Sequence, residues 1–121
     1  KLSNEKKVED LLKRKNFKII YMENQSFNNQ IKICANAEII IGPYGAGLIN
    51  CIWQKKGSKV LEIRPNNDNN ANCFFAAADA LGLKYYYVIS NKENLIKSTK
   101  TSDYFLNLEN LKKCLTKIEK K

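Results

Sequence analysis

The sequence EIIIGPYGAGLIN, residues 38–50, joins a β-branched segment to a glycine-rich turn. Its isoleucines, bounded by Gly-Pro, predict a buried strand over 39–41, and the residues after the turn predict a helix that ends near Gln54. A strand, turn and helix N-terminus of this kind collect free backbone N–H groups and the positive end of the helix dipole, which can hold a phosphate or another anion. A sharp turn that needs glycine only for its dihedral angles is the alternative interpretation, and the pattern leaves both open.

Helix and strand patterns alternate on both sides of this segment. The other predicted helices span Ser3 or Asn4 to Asn16, Ser26 to Asn36, Ala71 to Leu81 before Gly82, and Leu108 to Lys120; the other strands span 17–22, 59–63 and 83–89, with a short extended piece over 103–106. Residues 64–70 are predicted to form a mobile surface loop, and 90–102 a polar connection. The alternation indicates an α/β fold, a parallel sheet with right-handed crossovers and helices on both faces. Such sheets bind ligands at the carboxyl ends of their strands.

Length and composition fit one soluble globular domain. A chain of 121 residues can bury about two thirds of the surface that its unfolded form exposes. No apolar run approaches the roughly 20 residues that span a bilayer, and no N-terminal signal pattern is present.

The chain is basic. Lysine and arginine outnumber the acidic residues by 21 to 12, which gives a formal net charge of +9. The excess is concentrated in 6–18 and 112–121, where it fits the solvated faces of terminal helices, and it also favours an anionic ligand or an anionic membrane surface. We expect no nucleic-acid partner, because no RNA- or DNA-binding signature is present and the only arginines are Arg14 and Arg64.

The cysteines Cys34, Cys51, Cys73 and Cys114 are far apart, and the chain has no histidine. A zinc site would need all four thiolates to converge, which their spacing does not suggest, so we expect no metal site. Buried free thiols in a reducing compartment are the favoured interpretation.

Three linked motifs are more specific than the glycine turn alone. They are QSFNNQI at 25–31, AEIIIGPYGAGLIN at 37–50 and GSKVLEIRP at 57–65, and AAADALGLKYYY follows at 76–87. In order and spacing they resemble the patterns SF-x-x-Q, A-x-x-(I/V)-(I/V)-G-x-HGAG-(L/M)-x-N and G-(S/T)-x-V-(I/L)-E-(I/L)-x-P of the C-terminal domain of glycosyltransferase family 61. The last segment resembles the A-x-x-LG-x-x-Y pattern of the same family.

The resemblance implies the C-terminal half of a GT-B architecture with two Rossmann-like domains. Residues 1–121 would then be a single Rossmann-like domain that binds the nucleotide-sugar donor of an inverting glycosyltransferase, as in capsular polysaccharide or glycan assembly. An N-terminal domain is expected upstream, with the glycan acceptor in the cleft between the two domains, and the present chain alone is expected to be inactive. A UDP-sugar is the favoured donor, and no cofactor is expected.

The predicted donor-binding residues all lie in these motifs. They are Gln30, Gly42, Tyr44, Gly45, Ala46, Gly47, Asn50, Glu62 and Arg64. In a metal-independent site, helix N-termini and basic side chains stabilise the departing diphosphate, which assigns it to the backbone N–H groups of 45–47 and to Arg64. Tyr44 and Asn50 would add side-chain hydrogen bonds. Glu62 would accept hydrogen bonds from the ribose hydroxyls.

Each of these side chains has a structural alternative. Asn50 fits a tether between helix and loop, Glu62 an ion pair with a lysine, and Arg64 an anchor for the asparagine-rich loop. Ser26 and Gln30 fit a helix cap and its partner position, although the family pattern also places Gln30 at the donor cleft. No residue is a convincing general base, so the catalytic residue is unassigned and is expected in the N-terminal domain.

Tyr44 departs from the family pattern, which has histidine at this position. A tyrosine hydroxyl donates a hydrogen bond, but its ordinary pKa near 10 rules out acid–base work at neutral pH. Two alternative hypotheses are therefore a non-catalytic binding module that kept the fold and a stand-alone nucleotide-binding α/β domain. Bacterial relatives would be cytoplasmic and eukaryotic ones lumenal; the free thiols favour the cytoplasm, and the glycosylation sequon at 24–26 weighs against it.

Overall fold

The computed structural model describes residues 2–43, 46–66, 73–92 and 104–119. Its α-helices are α1 (Glu5–Arg14), α2 (Phe27–Ala35), α3 (Cys73–Leu81) and α4 (Leu108–Glu119). Its strands are β1 (Ile39–Pro43), β2 (Lys59–Pro65), β3 (Lys84–Lys92) and β4 (Tyr104–Phe105). Two 3₁₀ helices, Met22–Asn24 and Ala46–Trp53, complete the described elements. The predictions of α1, α2, α3 and α4 are confirmed, as is the end of α3 at Gly82, whose φ is 72°.

The sheet is mostly parallel, in the order β1-β2-β3-β4. β1 pairs parallel to β2 and β2 parallel to β3, while β4 pairs antiparallel with the last two residues of β3. The antiparallel β4 corrects the expectation of a wholly parallel sheet. A parallel β4 would need a crossover connection that returns to the start of β3. A strand that begins where β3 ends pairs with it antiparallel.

Alternate side chains of β2 contact different helical layers, as its period of two requires. Leu61 and Ile63 belong to the larger core cluster, together with α1 and α4 residues such as Leu11 and Leu115. Val60 belongs to the second cluster, which contains Leu48 and Cys51 of the 3₁₀ helix Ala46–Trp53 and Ala78 of α3. Helices therefore pack against both faces of the sheet.

The strand predicted over 17–22 is a wrong prediction. Residues 17–21 have no regular secondary structure, and Met22 begins the short 3₁₀ helix. Phe17 and Ile19 nevertheless pack against the larger core cluster, with exposed Lys18 between them. The alternating apolar pattern therefore reflects the burial of alternate side chains and not hydrogen bonding to a neighbouring strand.

The loop predicted from Arg64 begins later than expected. Arg64 and Pro65 belong to β2, because they pair with Ile89 and Ser90 of a β3 strand that is also longer than predicted. The backbone N–H of Asn66 then donates to Ser90 O at 2.8 Å. The remainder of the predicted loop, 67–70, and residues 93–102 of the predicted connection lie outside the described residues.

Candidate functional site

The glycine-rich turn lies at the carboxyl end of β1. β1 ends at Pro43 and the next helix begins at Ala46, so only Tyr44 and Gly45, which lie outside the described residues, join them. The helix Ala46–Trp53 is of the 3₁₀ type, which corrects the plain helix expected here. Because each N–H of a 3₁₀ helix bonds the carbonyl three residues earlier, the N–H groups of the first two helix residues, 46 and 47, lack acceptors within the helix. The predicted strand and the helix that follows it are thus confirmed, and the turn between them stays a prediction.

Gly42 has a packing role. A Cβ built at Gly42 would lie 3.3 Å from Leu48 Cδ1, so a side chain here would press on the helix that follows the turn. Leu48 is buried in the second core cluster. The glycine therefore lets the 3₁₀ helix lie close against β1.

Two of the predicted site residues, Gln30 and Asn50, contact each other. Asn50 Nδ2 donates to Gln30 Oε1 at 3.3 Å, and Gln30 Nε2 donates to Met22 O at 2.9 Å and Gln25 O at 3.2 Å. These bonds connect α2, the segment 22–25 and the helix Ala46–Trp53. Both side chains thus hold the helix after the glycine turn in position, as the tether hypothesis for Asn50 predicts.

Ser26 is the N-cap of α2, as predicted. Its Oγ accepts a hydrogen bond from the backbone N–H of Asn29 at 3.2 Å. Ser and its relatives are favoured at this position because the side-chain oxygen satisfies an N–H that the helix leaves unpaired. Gln30 bonds the carbonyls before the helix and Asn50 instead of completing a capping box.

Glu62 is fully buried and bonded to Tyr85. Its Oε1 accepts a hydrogen bond of 2.5 Å from the Tyr85 hydroxyl. Burial, and then this hydrogen bond and the negative charge of Glu62, raise the pKa of Tyr85 above its ordinary value of 10.0. Arg64 acts in the opposite direction through a hydrogen bond and its positive charge. The Tyr85 hydroxyl is therefore a protonated donor at neutral pH.

Arg64 lies beside a group of aromatic rings. Its guanidinium carbon lies 6.0 Å from the centroid of the Tyr87 ring, within the range of a cation–π contact. Tyr87 stacks on Tyr85 with a centroid distance of 6.2 Å and an interplanar angle of 30°. Phe75 of α3 meets Tyr85 edge to face at 5.5 Å. Arg64 and Glu62 therefore both interact with the side chain of Tyr85.

Neither Tyr85 nor Tyr87 is among the predicted donor-binding residues, although the tyrosine of the A-x-x-LG-x-x-Y pattern falls at Tyr85. The signal that could have found them is their spacing, because residues i and i+2 of a strand lie on one face of the sheet. In the observed register Glu62 lies opposite Tyr87 and Gly42 opposite Glu62. This row of three places the aromatic rings on the face of the sheet against which the helix Ala46–Trp53 packs.

The described cysteines are free. Cys34 and Cys51 are buried, and Cys114 is half-buried. Burial raises the pKa of all three thiols, and the neighbouring Cys34 and Glu62 further raise the pKa of Cys51. Within the described ranges, no three metal-binding side chains converge, and every helix is too short or too polar to cross a lipid bilayer.

A surface cavity of about 240 Å³ lies elsewhere, beside the segment between α1 and α2. Its lining residues are Lys18, Ile19, Ile20, Tyr21, Asn24, Gln25 and Ile33. None of them is a predicted donor-binding residue. The cavity instead lies beside residues 17–21, which follow α1 and do not form a strand of the sheet.

Comparison with protein families gives one match. A family model described as Glycosyltransferase 61 matches residues 1–61. The match contains α1, α2, β1 and the helix Ala46–Trp53, and therefore the first two sequence motifs with the start of the third. No curated protein and no solved structure matches the chain.

Proposed function

Because the chain belongs to the glycosyltransferase 61 family, we propose that it binds the nucleotide-sugar donor of an inverting glycosyltransferase. The proposed reaction transfers a sugar from that donor, a UDP-sugar in the favoured case, to a glycan or polysaccharide acceptor. The proposal further makes the chain one Rossmann-like donor-binding domain of a GT-B architecture. An N-terminal domain would complete the acceptor cleft, a cytoplasmic location is proposed, and the donor would be bound without a metal cofactor.

The observation that carries this proposal is the meeting of two anion-binding features at one edge of the sheet. Pro43, the last residue of β1, pairs with Ile63, so Arg64 follows directly beyond the last residue pair of β1 and β2. Gly42 and Glu62 are opposite each other, and Arg64 shares the face of Glu62. The proposal therefore assigns the N–H groups of 45–47 and the Arg64 guanidinium to one diphosphate-binding region, at the carboxyl ends of parallel strands.

Donor chemistry explains why this combination is useful. The acceptor hydroxyl attacks the anomeric carbon of the donor while the bond to the diphosphate breaks, and negative charge develops on the departing diphosphate. Fixed N–H groups and a guanidinium stabilise that charge without reorganising during the reaction. The proton of the acceptor hydroxyl requires a base, which we assign to the N-terminal domain.

The remaining predicted residues have supporting roles in the proposal. Gln30 and Asn50 fix the helix whose first N–H groups bind the diphosphate. Glu62 holds Tyr85 through its hydrogen bond, and its contact with the ribose stays a prediction. Tyr44 and Gly45 lie in the turn itself, and their contacts with the donor stay predictions as well.

Titration of the ¹⁵N-labelled chain with UDP tests the donor site. We expect the largest amide shifts at 45–47 and at Arg64, with the α4 amides unchanged. Arg64→Ala is expected to weaken UDP binding roughly tenfold, because a charge-assisted hydrogen bond is stronger than a neutral one. The matched control is Arg14→Ala at an exposed position near the end of α1. Shifts confined to other parts of the chain, or equal affinities of the two variants, would contradict the site.

A further inference from the structure

Tyr87 presents an exposed aromatic ring on the sheet. Tyr87 is 56% exposed, although β2 pairs beside it through Glu62. Phe75, which contacts the same group of rings from α3, is 52% exposed. We call Phe75, Tyr85 and Tyr87 the aromatic platform. An aromatic side chain that stays exposed on a sheet does not gain the free energy of burial. Its exposed surface can instead bind a ligand that has a flat apolar face.

The contacts around Tyr87 fix the orientation of its ring. Tyr85 stacks against it and is itself held by the hydrogen bond to buried Glu62. Arg64 lies on the neighbouring strand β2, with its guanidinium carbon over the ring at 6.0 Å from the centroid. The platform is therefore ordered before any ligand binds, which lowers the entropic cost of binding.

The position of Tyr87 matches the geometry of a nucleotide bound at the glycine turn. Gly42, Glu62 and Tyr87 lie opposite one another on three adjacent strands. Two strand spacings of roughly 4.8 Å separate Tyr87 from Gly42, a span of about 10 Å along the row. Arg64 lies between the two ends, on β2. A diphosphate at the turn would thus leave a nucleobase within reach of the platform.

We propose that the donor's nucleobase stacks on the exposed ring of Tyr87, while Arg64 lies between the base and the diphosphate. This inference rests on the proposed donor site and adds the subsite that holds the base. Every nucleobase has a flat π-face that stacks on an aromatic ring, and a neighbouring guanidinium strengthens such contacts.

Calorimetric titration with two probes tests the stacking subsite. UDP contains the base, and inorganic pyrophosphate contains only the charged group. Tyr87→Ala is expected to weaken UDP binding roughly tenfold, because stacking of one base is worth that order of affinity, and to leave pyrophosphate binding unchanged. Tyr87→Phe keeps the ring and should keep the UDP affinity.

Phe105→Ala is the matched control, because Phe105 is an exposed aromatic residue on β4, and it should bind both probes as the unaltered chain does. The unfolding midpoint of each variant shows whether the fold is intact. Equal UDP affinities of Tyr87→Ala and the unaltered chain would overturn the platform and leave the donor site standing. Loss of pyrophosphate binding in Tyr87→Ala would overturn it too. If the unaltered chain binds neither probe, the proposed function fails and the platform fails with it.

Discussion

Glu62 occupies a position in β2 that has no exposed surface, and a carboxylate there requires strong hydrogen bonding. The Tyr85 hydroxyl supplies a short bond of 2.5 Å from the neighbouring strand. The sequence alone predicts that Glu62 contacts the ribose of the ligand. The observed contact shows that this side chain also joins β2 to β3, beneath the aromatic platform.

Replacing Tyr85 by phenylalanine tests the strength of this contact. Tyr85→Phe removes only the hydroxyl, and it should lower the free energy of unfolding by about 1–3 kcal/mol because a buried carboxylate loses a donor. The matched variant Tyr87→Phe removes the hydroxyl of the exposed ring and should change that energy by less than about 0.5 kcal/mol. Urea unfolding followed by circular dichroism measures both. Equal midpoints for the two variants would show that the bond contributes nothing to stability.

The same comparison has a defined pH dependence. Burial, followed by the hydrogen bond to Glu62 and its negative charge, raises the pKa of Tyr85 above 10.0, so the folded chain keeps this proton where the unfolded chain has lost it. The stability from neutral Tyr85 is therefore complete below pH 10 and is lost as the pH rises further, by up to about 1.4 kcal/mol per pH unit. Tyr85→Phe lacks this loss. Its stability should approach that of the unaltered chain above pH 10, and parallel pH profiles would contradict the assignment.

At the scale of elements, local patterns predicted the helices and the central strands. α1 buries Val8, Leu11 and Leu12 on one stripe and carries basic residues in its last turn, so its periodicity and its charges both indicate a helix. α3 ends at Gly82, which has a positive φ, and a glycine at this position is a helix-end signal that can be read from the sequence. Such elements are predictable because the interactions that define them lie within a few residues.

The elements that the sequence did not predict depend on distant partners. Residues 17–21 alternate as a strand does, yet a strand exists only where a second strand accepts its hydrogen bonds. The direction of β4 is set by where the chain returns to β3, and β2 extends to Pro65 because β3 continues beside it. The helix after the glycine turn is 3₁₀, and Gln30 of α2 holds it through the hydrogen bond from Asn50.

The candidate site was predictable to a similar extent. The motif letters identified the turn, Arg64 and the paired positions Gln30 and Asn50. They did not identify the link from Glu62 to Tyr85 or the platform around Tyr87, because both depend on the register between β2 and β3. Residues far apart in sequence meet there through the sheet, and a single sequence does not show which register the strands adopt.

At the scale of the whole molecule, the residues before α1 are joined to the residues before α4. Ser3 N donates to Tyr104 O at 2.7 Å, and Leu2 forms an isolated parallel bridge with Tyr104. The Asn4 side chain donates to Leu106 O at 2.8 Å and accepts from Leu106 N at 3.1 Å. Asn4 precedes α1 but forms no side-chain cap, because its amide is used in this pair of bonds. The contact fixes α1 and α4 in one layer on the sheet.

Asn4→Ala should therefore destabilise the whole domain and not only the start of α1. Both backbone groups of buried Leu106 lose their side-chain partner, which costs about 1–3 kcal/mol in the free energy of unfolding.

The matched control is Asn36→Ala, because the exposed Asn36 amide bonds only one local carbonyl among the described contacts, Lys32 O at 2.9 Å. Its cost should stay below about 1 kcal/mol. In urea unfolding, circular dichroism reports all the helices, including α1 and α4, and the fluorescence of Trp53, the chain's single tryptophan, reports the opposite face of the sheet. If the layers on the two faces unfold together, both signals shift to the same lower urea concentration in Asn4→Ala; a shift in circular dichroism with unchanged fluorescence would show that the faces unfold separately.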